Sequence, residues 1–151
     1  MASQNDAVSN SRIDEVFDFF ENLIEGAGPK IAKQAAELLA EEIRNRITQQ
    51  RGRWKALAAS TIRRKKYSSS ASNATKKWIE TGGFLRSIEA KQTSNGAQVF
   101  FAGQKHSRRS KTSYMDVVLY NEAVRPLIGP AFKAVEKQME RIVNNVLDAR
   151  R

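Results

Sequence analysis

The residues able to do chemistry are few in kind. His106 is the only histidine, and there is no cysteine. A serine triad needs an oriented base, yet no acid stands near His106 in sequence, only Lys105, Arg108, Arg109 and Lys111. That neighbouring positive charge favours the neutral imidazole, and the residue reads as part of an exposed loop. A zinc site would need His106 plus carboxylates alone. Disulfides, thiolate metal sites and cysteine nucleophiles are excluded. Gly82-Gly83 is not followed by the Lys-Ser or Lys-Thr of a phosphate-binding loop. Gly26-Ala27-Gly28 lacks the third glycine and the preceding strand of a dinucleotide site. Glu37, Glu41 and Glu42 stand among lysines and arginines at helical spacing, which reads as a solvated, ion-paired face. The chain is therefore expected not to be an enzyme, with no catalytic residue, no metal and no cofactor.

Charge is the more informative chemistry. The 26 lysines and arginines outnumber the 16 acids, a formal charge of +10. Such an excess points to an anionic partner, either nucleic acid or an acidic protein surface. One basic cluster comprises Arg44, Arg46, Arg51, Arg53, Lys55, Arg63, Arg64, Lys65 and Lys66, with Trp54, Tyr67 and Trp78 in or near it. Basic residues interleaved with aromatics can grip a phosphate backbone and stack on bases. The competing reading is that both tryptophans anchor loops to the core or to a neighbouring subunit, because buried aromatics dominate core and interface energetics. No helix-turn-helix, zinc-finger or ribonucleoprotein signature is present.

The elements that must position these residues follow from periodicity. Ile13, Val16, Phe17, Phe20, Leu23 and Ile24 recur at helical spacing, with Ser11 as N-cap and Gly26 to Pro29 as the stop. A second helix is predicted from Pro29 to about Gln50, with Ile31, Ala35, Leu38, Leu39, Glu42, Ile43 and Ile47 on one face. Arg51-Gly52-Arg53 breaks it. Ser60 is expected to cap a short helix over 61–66, and Tyr67 to Thr75 reads as a flexible polar loop. Asn95-Gly96 between two runs of strand-like residues, 88–93 and 97–102, predicts a hairpin. Gln104 to Ser113 reads as an extended surface loop. Asp116 to Tyr120 fits either a strand or a helical turn. Arg125 to Pro130 is a rigid connection, and a long amphipathic helix begins near Pro130.

The expected class is α+β: long amphipathic helices on a small antiparallel sheet, with long mobile loops. A flexible arm over 1–10 precedes a single domain over 11–151, whose basic loops cover about 63–78 and 104–113. No apolar run approaches the roughly 20 residues of a membrane span, and the start does not resemble a signal peptide.

The order of residues adds a resemblance. Gly52-Arg-Trp54-Lys-Ala-Leu57-Ala-Ala-Ser60-Thr61-Ile62-Arg-Arg-Lys65 resembles the G-x-W-x-x-L-x-x-S-T-I-x-x-K segment of phage virion morphogenesis proteins, the tail-completion proteins of Mu-like phages. Thr81-Gly82-Gly83-Phe84-Leu85-Arg86-Ser87-Ile88 looks like the family's T-G-x-L-x-x-S-I segment, with the spacing to Leu85 shifted by one. Arg125-Pro126-Leu127-Ile128-Gly129-Pro130-Ala131-Phe132 is similar to its R-P-F-x-x-P-A element, found also in the tail-component family typified by the tenth gene product of phage HK97. The Tyr-Ala and His-x-x-Gly stretch of the family is absent, and the basic run Lys105–Lys111 stands near its place.

The resemblance implies a neck or tail-completion protein of the virion, assembled in the host cytoplasm as a six- or twelve-fold ring with no membrane partner. Its neighbours would be connector or stopper, tail terminator or tail tube proteins. Trp54, Leu57, Leu85, Arg125, Pro126 and Phe132 would form the framework. Arg63, Arg64, Lys65, Lys66, Lys105, Arg108, Arg109 and Lys111 would face an acidic neighbouring ring or the DNA channel. The alternative function is a basic nucleic-acid-binding module.

Overall fold

The computed structural model describes residues 28–67, 71–79, 82–94, 96–106 and 111–149. The arm over 1–10, the helix expected over 13–24 and its Ser11 cap lie outside the described residues, as do Arg108 and Arg109.

Helix α1 spans Pro29–Thr48, with proline in its first turn. It buries Ile31, Ala32, Ala35, Ala36, Leu39, Ala40, Ile43 and Ile47. The four alanines keep that face shallow, so the neighbouring backbones approach closely. The helix stops at Gln49, and Gln50 then turns into the left-handed region at φ 52.

Short helices α2, Ala59–Lys66, and α3, Gly83–Arg86, flank a single 3₁₀ turn at Ala71–Asn73. Strands β1, Ile88–Thr93, and β2, Gly96–Phe101, form an antiparallel hairpin with register from Ile88↔Phe101 to Thr93↔Gly96. Helix α1 lies across both strands. Arg44 Nη2 adds a donor to the Ile88 carbonyl at 2.5 Å. Helix α4 spans Tyr114–Glu122, and α5 spans Ile128–Ala149. Buried Ile128, Ala131, Val135, Met139 and Val143 trace the inner stripe of α5. Ile31, near the start of α1, shares a small apolar cluster with Val143, near the end of α5, so the two helices run antiparallel. The fold is α+β: helices packed on a small two-stranded antiparallel sheet.

Three expectations need correction. The region 104–113 is not simply a loop: Gln104–His106 (β3) pairs with Lys111–Ser113 (β4), with Gln104 opposite Ser113. The gain is backbone pairing, which a charged composition does not forbid. Ser60 does not cap α2. Ala58 stands at the N-cap and its carbonyl accepts from Ile62 N at 3.0 Å, which places Ser60 inside the first turn. The stretch read as a flexible polar loop after Tyr67 carries a 3₁₀ turn at Ala71–Asn73 and buries Ala74. The ambiguous segment around Asp116 is helical, because Ser113 Oγ caps α4 by accepting from Asp116 N at 3.1 Å.

Candidate assembly interface

Residues far apart in sequence meet at the junction of α1, α4 and α5. The Trp54 indole is buried and donates from Nε1 to the Pro126 carbonyl at 2.7 Å. Beside it, Arg125 Nε donates to the Lys55 carbonyl at 3.2 Å and Nη2 to the Ala56 carbonyl at 3.4 Å. Gly52 is needed for this packing. A Cβ there would lie 2.3–2.6 Å from atoms of the Trp54 ring, closer than carbon atoms tolerate. The segment 52–56 is thus bound to the turn 125–126 through one buried indole and one guanidinium.

Glu122 completes the junction, and nothing in the sequence reading singled it out. The residue is only 7% exposed. It accepts from Leu127 N at 2.8 Å, Ile128 N at 2.9 Å and Gly129 N at 3.2 Å. A helix leaves its first four amides without intrahelical partners. In α5 the fourth of these positions is Pro130, which has no N–H, and Ala131 N already bonds the Leu127 carbonyl. One carboxylate therefore satisfies every orphan donor at this helix start and places negative charge at its positive end. The only sequence signal was an acid a few residues before a Gly-Pro pair, too common to interpret.

A second anchor fixes the stretch between α2 and α3. Lys65 is 4% exposed, and its ammonium donates to the carbonyls of Lys76 at 2.8 Å and Ile79 at 2.6 Å. This corrects its expected role: Lys65 does not face a partner, because its charge is spent holding the chain's own loop. Gln50 works on the same loop. Its Nε2 donates to the Ile47 carbonyl at 2.7 Å and the Lys77 carbonyl at 2.9 Å, while its Oε1 accepts from Lys77 N at 2.8 Å. Those bonds offset the cost of about 1 kcal/mol for its left-handed backbone. Trp78, also left-handed at φ 62, is delivered onto Phe84 with ring centroids 5.3 Å apart. Phe84 in turn stacks on Phe101 at 5.4 Å and meets the edge of Tyr114 at 5.8 Å. Both tryptophans serve as anchors within the fold.

The other expected residues fall as follows. Leu57 and Leu85 are half-buried, and Phe132 is half-buried against the main core. Pro126 is exposed except for the role of its carbonyl. Arg63, Arg64 and Lys66 are exposed on α2, and Arg51, Arg53, Lys55 and Lys76 are exposed around it. Lys105 and Lys111 occupy the backbone of β3 and β4. Glu37 pairs with Lys33 at 3.6 Å on the exposed side of α1. Glu42 is more enclosed, held by Arg46 at 2.8 Å and Arg51 at 3.4 Å. Among the described residues no group of acids and histidines is arranged to hold a metal, and no helix is long and apolar enough to cross a membrane.

No protein-family model, no curated protein and no solved structure matches this chain.

Proposed function

We propose that this chain is a non-enzymatic structural protein of a tailed-phage particle. It forms a ring at the head–tail interface that joins the tail to the head connector and lets DNA pass. The observation that carries the reading is the junction of Trp54 with Pro126 and of Arg125 with Lys55 and Ala56. The segments on which the resemblance rests contact one another directly, and Phe84 and Ile88 of the remaining segment belong to the same core as Trp54. Residues brought together in this way form a framework, and a framework motif with exposed charge around it suits assembly through complementary surfaces. Arg63, Arg64 and Lys66 supply that charge toward an acidic ring or the DNA channel.

The purified chain in moderate salt is expected to give ring-shaped particles in negative-stain images, or to co-sediment with tail tubes. A monomer that binds DNA with a steep salt dependence would instead favour a nucleic-acid-binding module.

A further inference from the structure

Among the described residues four large apolar side chains are exposed: Tyr67 stands at the end of α2, and the other three lie within six positions of one another. Leu119, Tyr120 and Val124 are 39%, 88% and 49% exposed at the end of α4. Tyr120 and Val124 are four residues apart, so they share one side of the turn. Basic residues adjoin the patch: Arg125 follows Val124, and its bonds to the Lys55 and Ala56 carbonyls hold the backbone of exposed Lys55 beside it. The one acid on the exposed side of α4 is Asp116, whose carboxylate accepts from Ser113 Oγ at 2.5 Å.

The complement is present in the same chain. Residues 1–27 hold six acids and one base, whereas Arg53, Lys55, Arg63, Lys66 and Lys76 present exposed bases in a stretch, 44–79, that has no acid. Within the acidic part, Phe17, Phe20 and Ile24 recur at helical spacing, with Asp14, Asp18 and Glu21 between them. We propose that residues 13–24 of one copy dock on the Leu119–Tyr120–Val124 surface of a neighbouring copy, apolar stripe on Tyr120 and acids toward the adjoining bases.

Reach decides between the same copy and a neighbour. Helix α1 has 20 residues, so it is about 30 Å long. Its start lies beside the end of α5, whereas the patch lies by the start of α5 and the residues that follow α1. Residues 25–28 separate the segment from Pro29 and span at most about 14 Å. As a helix the 12-residue segment adds only about 18 Å to that, so a copy's own segment would bring no more than its far end to its own patch, whereas a neighbour's can lie along it. Repeated head-to-tail, this contact closes a ring or continues as a filament. The inference rests on the self-assembly in the proposed function.

The chain contains no cysteine, so introduced thiols are the only ones present. A full-length Phe20→Cys chain mixed with a full-length Tyr120→Cys chain under mild oxidation is expected to give a disulfide-linked heterodimer. The yield should exceed severalfold that of a control pairing with Lys137→Cys, an exposed residue on α5. Yield at the control level would overturn the docking, and so would a chain carrying both changes that links only within itself at low concentration. A Leu119→Ser, Tyr120→Ser chain is expected to sediment as a smaller species with an unchanged melting temperature; unchanged assembly would count against the patch. Rings that form without the crosslink would overturn the docking alone and leave the assembly reading standing, whereas monomers without it would overturn both.

Discussion

The Trp54 indole and the Pro126 carbonyl, seventy-two positions apart, share a 2.7 Å hydrogen bond with the indole packed over Gly52. Trp54→Phe keeps most of the apolar contact and removes the donor, leaving the carbonyl without this partner. The expected loss is about 1–2 kcal/mol. Gly52→Ala is expected to cost more, because its Cβ would drive the ring out of its seat. Urea unfolding followed by circular dichroism checks both: the midpoint should fall at constant slope. A Gly52→Ala midpoint equal to the parent's would contradict the ring-on-glycine packing.

The same substitution at the other tryptophan should behave differently. Trp78 Nε1 is buried with no hydrogen-bond acceptor among the described residues. Trp78→Phe loses stacking area against Phe84 but also removes a desolvated, unpaired donor. The two effects oppose, so the expected change is within about 1 kcal/mol. A cost as large as that of Trp54→Phe would show that the indole nitrogen of Trp78 has a partner after all.

Glu122→Gln is expected to destabilise by about 2 kcal/mol, roughly 6 °C in melting temperature for a domain of this size. The amide keeps one acceptor oxygen but turns N–H donors toward Leu127, Ile128 and Gly129, whose own N–H groups need acceptors. Hydrogen exchange locates the effect, since those three amides should lose protection before the middle of α5 does. Uniform loss along the helix would argue against a local cap.

The parts of this fold that were legible in the sequence are those fixed by local period. The apolar spacing of α1 and α5 and the Asn95-Gly96 turn between β1 and β2 name their elements directly. The illegible parts depend on what returns from far along the chain. Lys65 looks like three other basic neighbours in sequence, and only the carbonyls of Lys76 and Ile79 draw it inward. Glu122 becomes a cap only because the turn at 123–127 folds α5 back over it. The pairing of β3 with β4 is a backbone matter that side-chain alternation over three residues cannot signal. Tyr120 ends a segment that fits a strand or a helical turn equally well by sequence, and the helix it forms turns it almost wholly to solvent.

Lys65→Met keeps the aliphatic stem and removes the ammonium. The expected loss is about 2–3 kcal/mol, the range for hydrogen bonds made by a charged donor. Limited proteolysis offers a sharper reading than the melting curve, because the stretch between α2 and α3 should be cleaved faster while α1 and α5 stay resistant. Cleavage no faster than in the parent chain would mean that Gln50 and Trp78 hold the loop without Lys65.

Reversal of the exposed charge separates assembly from stability. Arg63→Glu with Lys66→Glu changes the net charge by four units on the exposed side of α2, where neither side chain is buried. Surface charges of this kind contribute little to folding, within about 1 kcal/mol, so the melting temperature should move by no more than a few degrees. Association with an acidic ring or with DNA depends on those charges through long-range attraction, which salt screens over about 8–10 Å. The reversed chain is therefore expected to join particles poorly at low salt, where the parent joins best, and the gap between them should narrow as salt rises. Arg108→Glu with Arg109→Glu is expected to follow the same pattern. Parent-like joining by both variants at low salt would remove the basic surface from the assembly step, and a melting temperature displaced by many degrees would show that these residues hold the fold.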